Sequence, residues 1–298
     1  MAGATRNDSG FVLVAALWIL AALAGLAAIF SLYATNTAAS TALGGQRLEA
    51  EAAFRSGVEL VAYQLLAVEE KARPGHGGFT FALGKTRISV RFLAEAARID
   101  INLAPKELLA GLFTSIGVDA DKAGTYADRI VGWRSKVEGN VADPEAELYR
   151  SAKLPYPPKE SLFEDVAELR LLPGIPPQAV DLMLPEVTTF SQLAQINVFE
   201  APPATLTALP GVTPDALADI LKGRDASPDD RQQLLSKLGD ASKLATIRNG
   251  RATRVFVEAV LASGRRTRAE IVLQLRDADA DPEPFNIVYW RDDFDAPL

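Results

Sequence analysis

The chain has 298 residues, 48% of them apolar, and a formal net charge of −7, so it is long enough to bury one or two real cores. The negative charge argues against a general phosphate-binding surface, because nucleic-acid binders carry clustered cations. With no Cys, disulfides, thiol catalysis and cysteine-ligated metals are excluded, and His76 as the single His excludes a multi-histidine metal site.

Residues 1–10 are short and polar and end in Ser9-Gly10; Phe11 to Tyr33 is then a block of 23 residues without a charge. A secretory signal has an apolar core of about 7–15 residues, so this longer block reads as a retained single membrane span over 11–33. The helix is expected to continue to about residue 72. Phe54, Val58, Val61 and Leu65 follow one face of a 3.6-residue period, Gly44-Gly45 loosens the middle, and Arg73-Pro74-Gly75 ends it. His76, between two glycines, reads as a loop histidine.

A hairpin follows. Phe79, Phe81 and Leu83 alternate, as do Ile88, Val90 and Phe92, and Gly84-Lys85 suits a two-residue turn. From Arg98 to Gly250 the pattern changes to short helices punctuated by Pro and Gly. Strands then return. Val255, Val257, Ala259 and Leu261 alternate, Ser263-Gly264 turns, and Ala269, Ile271, Leu273 and Leu275 alternate again before a last strand at 285–291.

Strands on both sides of a helical block predict an α+β fold. A pilin-like antiparallel sheet, residues 73–97 and 251–298, is interrupted by an inserted α-helical domain, residues 98–250. A lone hairpin is marginal in water, so the sheet needs both halves. Within the insert, Ile101-Asn102 with Ala104-Pro105 is echoed by Ile196-Asn197 with Ala201-Pro202. Each is followed by a Gly-Val turn, Gly117-Val118 or Gly211-Val212, and a helix ending at Arg134 or Arg224; Leu172-Pro173-Gly174-Ile175 is a third, partial copy.

These repeats resemble helix-hairpin-helix modules, which often hold DNA phosphates on backbone amides. A membrane-anchored DNA-uptake protein is therefore the alternative reading. Against it, the insert carries 22 acidic and 16 basic residues, and Pro176 and Thr213 stand where the sharper motif has a second Gly. The acidic stretch Glu138, Asn140, Asp143, Glu145 and Glu147 could ligate Ca²⁺, but it lacks the alternation of a calcium loop and reads more safely as solvated. No phosphate loop, nucleophile elbow or nucleophile–base pair emerges, so no enzyme is expected.

A polar leader ending in Gly10, then Phe11, then an unbroken apolar helix resembles the processing signal of type IV pilins and pseudopilins. The resemblance implies cleavage by the prepilin peptidase between Gly10 and Phe11, with N-methylation of Phe11. The fifth residue after the cut, usually Glu in that family, is Ala15 here. That departure resembles the GspK family of large minor pseudopilins of type II secretion. Trp133, Glu145 with Tyr149, Ala167-Glu168-Leu169-Arg170, and Ile196-Asn197 with Ala201 follow the order of that family's motifs. The resemblance implies a single-pass inner-membrane protein with a periplasmic body at the pseudopilus tip. Its partners would be other minor pseudopilins, and it would bind no nucleic acid. It also implies Ca²⁺ in the helical domain, although Ser135 and Ala146 replace two acidic positions and Phe199 replaces the second Asn of the Ile-Asn motif.

Overall fold

The computed structural model describes residues 9–136, 143–276 and 282–294. In chain order it contains helix α1 (Ser9–Leu66), strands β1 (His76–Leu83), β2 (Thr86–Ala94) and β3 (Ile99–Asp100), and helices α2 (Lys106–Ser115), α3 (Ala120–Arg134), α4 (Pro144–Ser151) and α5 (Pro177–Met183). There follow β4 (Val187–Thr188), β5 (Ile196–Asn197), α6 (Pro203–Leu206), α7 (Pro214–Lys222), α8 (Pro228–Ser236) and β6 (Ala245–Thr246). The chain closes with β7 (Ala252–Val260), β8 (Arg266–Leu275) and β9 (Phe285–Asp292). The fold is α+β.

Helix α1 runs unbroken for 58 residues, through Gly44-Gly45, and so spans about 87 Å. It stops at Leu66 rather than near 72. The Arg73 guanidinium donates to the Leu65 carbonyl (2.9 Å) and satisfies one of the orphan acceptors at the helix end, and residues 70–72 form a separate tight turn. Phe54, Val58, Val61 and Leu65 are all buried against Ile88, Val90, Val255, Val257, Ile271 and Leu273 of the sheet. Burying each large side chain stabilises by roughly 1.5–3 kcal/mol relative to exposure.

The main sheet has the order β1-β2-β7-β8-β9, antiparallel throughout. Gly84-Lys85 forms the β1–β2 turn, with Leu83 opposite Thr86 and Gly84 at φ 59°. Strand β2 pairs directly with β7, Ala94 opposite Thr253, so the chain leaves the sheet and returns to it at one point. His76 opens β1 and is not a loop residue.

The residues between β2 and β7 bury a core of their own, containing Leu108, Leu109, Ile130, Leu206, Leu209 and Ile220. This block is not purely helical, because β3 pairs with β4 and β5 with β6 in two short parallel ladders. The ladders reveal the true register of the internal repeat: Asp100, not Asn102, matches Asn197. Each side chain accepts from the amide two residues on, Asn102 N (2.9 Å) and Phe199 N (3.1 Å). Each carbonyl accepts from the amide four residues on, Ala104 N (2.8 Å) and Ala201 N (2.9 Å). Ile101 N then donates to Thr188 O (3.0 Å) and Val198 N to Thr246 O (3.2 Å).

The arginines that close the two copies play one part. Arg134 donates to the carbonyls of Ile101 and Ala104, and Arg224 to that of Ala201. Each ties the end of the second helix to the turn before the first. Gly117 and Gly211, at φ 90° and 74°, make the hairpin turns that side-chain-bearing residues rarely adopt.

Candidate functional site

The amino-terminal half of α1 has no partner within the chain. Phe11 is 79% exposed and Trp18 74%, and the most apolar 18-residue window is 0% buried. Such a helix is long and apolar enough to cross a membrane. Residues 1–8 of the expected leader lie outside the described residues. Ala15 sits in the second turn of the exposed helix, with no carboxylate at that position.

The sequence motifs of the insert meet in one cluster. Trp133, on α3, stacks on Tyr149 of α4 at 6.0 Å and packs beside Phe163 at 6.1 Å. Its indole N–H donates to Glu168 Oε2 (3.2 Å), and Lys159 Nζ donates to both oxygens of the same carboxylate (2.9 and 3.1 Å). Glu168 also receives the amides of Glu164 and Asp165, which closes a capping box on the turn 166–171. Burial pushes the Glu168 carboxyl up, but Lys159, the two amides and the indole outweigh it and hold it below the ordinary carboxylate value. The motif Glu is thus the polar hub that locks three segments around Trp133.

The acidic stretch offers calcium a poor fit. Asp143 is spent as the N-cap of α4, where its Oδ1 accepts from Glu145 N (2.9 Å). Glu145 is buried and accepts from the Arg129 guanidinium, so a fixed cation already faces it. Burial is the main cause of its raised carboxyl pKa, and Arg129 opposes that shift. Glu147 is exposed and pairs with Arg150 at 2.7 Å. Glu138 lies outside the described residues. Among the described residues no three His, Asp or Glu side chains gather in a metal-binding group.

A second polar cluster, which local sequence pattern could not show, joins the insert to the sheet. Glu95, just beyond β2 and 1% exposed, accepts from the Thr188 hydroxyl of the insert and from the Arg254 guanidinium of β7. Arg254 also donates to Glu270 of β8, and Arg291 of β9 donates to the same carboxylate. Burial pushes Glu270 up, yet the two arginines outweigh it and leave it lowered. Phe190 of the insert packs on Tyr289 at 5.9 Å. On the other side of the joint, His76 Nδ1 meets the buried Glu200 at 2.6 Å, and Asn249 Nδ2 donates to Arg73 O at 2.8 Å. Asn197, the kept motif Asn, holds Asn249 (2.7 Å) from inside the insert.

Residues 86–192 match the family model described as Type II secretion system (T2SS), protein K. This stretch is similar to the protein K domain. It runs from the first residue of β2 through the first copy of the repeat, and holds Trp133, Tyr149 and Glu168. The chain is also similar in fold to a chain of the GspK–GspI–GspJ complex from the enterotoxigenic Escherichia coli type 2 secretion system. The TM-score is 0.58 with 16% identity, over 83% of this chain and 98% of that one. The likeness to GspK read from the motifs therefore holds in the family match and in the fold. No curated protein matches the chain.

Proposed function

We propose that the chain is a minor pseudopilin that caps the tip of a type II secretion pseudopilus and supports its initiation and protein export. The observation that carries this reading is the position of the insert. Residues Leu65, Arg73 and His76 lie beside Asn249 and Glu200, so the insert attaches at the end of the sheet where α1 finishes. The opposite end, where Glu49 accepts from Ala262 N (2.9 Å) and from the Thr86 hydroxyl, is the one nearer the apolar half of α1. From Tyr33 to Leu65 the helix rises about 48 Å. A bulky body at the far end of an assembly helix permits subunits below it and obstructs any above.

In this reading residues 11–33 lie in the inner membrane, the body faces the periplasm, and the prepilin peptidase cuts between Gly10 and Phe11. Ala15 then lacks the Glu that would pair with a subunit above because none sits there. The partners are other minor pseudopilins, as in the GspK–GspI–GspJ complex. The chain has no Cys, so one Cys introduced at the exposed Lys237 gives a unique label on the insert. Gold on that Cys should decorate only the ends of sheared pseudopili, and gold along their length would refute the cap. Intact mass of membrane-expressed protein should show a chain beginning at methylated Phe11.

A further inference from the structure

We propose that the sheet face turned away from α1 is a docking surface for an acidic polypeptide segment of a partner protein. The inference goes beyond the pseudopilin reading and is tested on the chain alone. Side chains alternate across a strand, so the residues between the buried Ile88, Val90, Val257, Ala269 and Ile271 point to the other face. The pairing register brings Arg87 and Arg91 of β2, Arg254 of β7, Arg266 and Arg268 of β8, and Arg291 of β9 onto it. The acidic residues among them are Glu258, Glu270 and, just beyond β9, Asp293, whose carboxylate accepts from Arg268 N (2.6 Å). Five exposed arginines, Arg87, Arg91, Arg266, Arg268 and Arg291, stand against Glu258, Glu270 and Asp293 on one face of a chain whose net charge is −7.

Part of the positive charge is neutralised internally: Arg254, 7% exposed, is held by Glu95 and Glu270 and takes no part in the open surface. Arg291 pairs with Glu270, and Arg268 reaches Glu258 only at 3.9 Å with 70% of its side chain exposed. Arg87, Arg91 and Arg266 are exposed and have no carboxylate partner among the described residues. Near them is a shallow basin of about 590 Å³ whose wall is mixed, with Glu258, Glu270, Asp292 and Asp293 beside Arg91, Arg268 and Arg291, so the uncompensated charge sits on Arg87, Arg91 and Arg266. Its floor is Phe256, with the Arg91 guanidinium 5.6 Å from the ring centroid. A stacked guanidinium is held in place by the ring and keeps its N–H fork for a carboxylate.

The cations on this face are all Arg, whose planar fork matches carboxylates in pairs, whereas Lys offers a point charge. The carboxylates set among the arginines would repel a continuous polyanion such as DNA, but they suit a polypeptide whose acidic residues are spaced. A lipid surface lies out of reach. From Tyr33 to Ala50, where α1 first meets the core, the helix rises about 25 Å, about three Debye lengths at physiological salt. Helix α1 covers the opposite face, so this one stays open in any assembly built through the helices.

The test uses the full chain in detergent and a fluorescein-labelled peptide of six Glu residues flanking a central Leu, read by anisotropy at low and physiological salt. Binding should weaken at least about tenfold when Arg87, Arg91 and Arg266 are all changed to Glu, with the circular dichroism spectrum unchanged. Arg91→Lys, which keeps the charge and loses the fork, should weaken it less than the triple reversal but measurably. The proposal is overturned if the wild-type chain fails to bind the peptide, if the folded triple variant binds it equally, or if a Lys peptide binds as well. It is also overturned if short duplex DNA or phosphatidylglycerol vesicles compete with the same dependence on these arginines, or if the wild type self-associates through them.

Discussion

Replacing Arg254 by Met would leave Glu95 and Glu270 at the joint without the cation that both share. Glu95 is 1% exposed, so solvent cannot screen the loss. Breaking a buried pair in this way costs about 3–5 kcal/mol, which urea denaturation of the solubilised protein would register. Arg254→Lys should recover only part, because one ammonium cannot reproduce the fork. Glu168 makes a different prediction. Its folded carboxyl lies below the ordinary 4.5, so its contribution to stability is fully present above that pH and is lost as pH falls through the lowered folded value. Asp100 runs the other way. Burial raises its carboxyl above 3.8, so it favours the folded state most at acid pH and less as pH rises. Glu168→Gln should therefore flatten the loss of melting temperature below about pH 4.5, with Trp133 fluorescence following the same curve.

At the scale of elements, the two copies of the repeat touch where Gly111 of α2 faces the chain just after α6. A Cβ on Gly111 would overlap the carbonyl oxygen of Ala208, and backbone cannot step aside as a side-chain tip can. Gly111→Ala should destabilise by about 3 kcal/mol, at the upper end of overpacking costs, whereas Gly124→Ala, on the open side of α3, should stabilise by about 0.5–1 kcal/mol through helix propensity. The strands and the packed face of α1 were legible in the sequence because their periods are local: alternation at 79/81/83 and 88/90/92, and 3.6-residue spacing at 54/58/61/65. The repeat was legible but misaligned by two residues, since Ile101-Asn102 looks more like Ile196-Asn197 than Ile99-Asp100 does. Only the distant partners Thr188 and Thr246 settle the match. The hub role of Glu168 and the joint of Glu95, Thr188 and Arg254 were invisible for the same reason. Residues 93 and 159 positions apart must be brought together before their charges mean anything.

For the whole molecule, the direct pairing of β2 with β7 makes residues 98–250 a candidate independent unit. We propose that this fragment folds alone, because its core is closed on itself and its ends lie side by side. Its circular dichroism should be mainly helical, with a cooperative melt lower than that of the full chain, since it loses the Glu95, Arg254 and His76 contacts. A disordered fragment would show that the sheet is needed to hold the insert. Adding Ca²⁺ to the same melt should leave the midpoint unmoved, as Arg129 already answers the charge of Glu145.

The hairpin-like attachment of the insert also has a mechanical side. Both of its feet stand on neighbouring central strands at the same end of the ladder, Ala94 opposite Thr253. A pull on the insert away from the sheet would enter both strands together and in one direction, so the ladder between them is not pried open. The load passes as shear into the β1–β2 and β7–β8 ladders, many hydrogen bonds at once. A push toward the sheet would instead seat the insert on the sheet end and on the close of α1, through Glu200 on His76 and Asn249 on Arg73. Thrust is then carried by many contacts at once and passes into an 87 Å strut. The two ends of the insert thus share one foundation, and a load on it in either direction along the strands is spread over the central sheet rather than borne by a single bond.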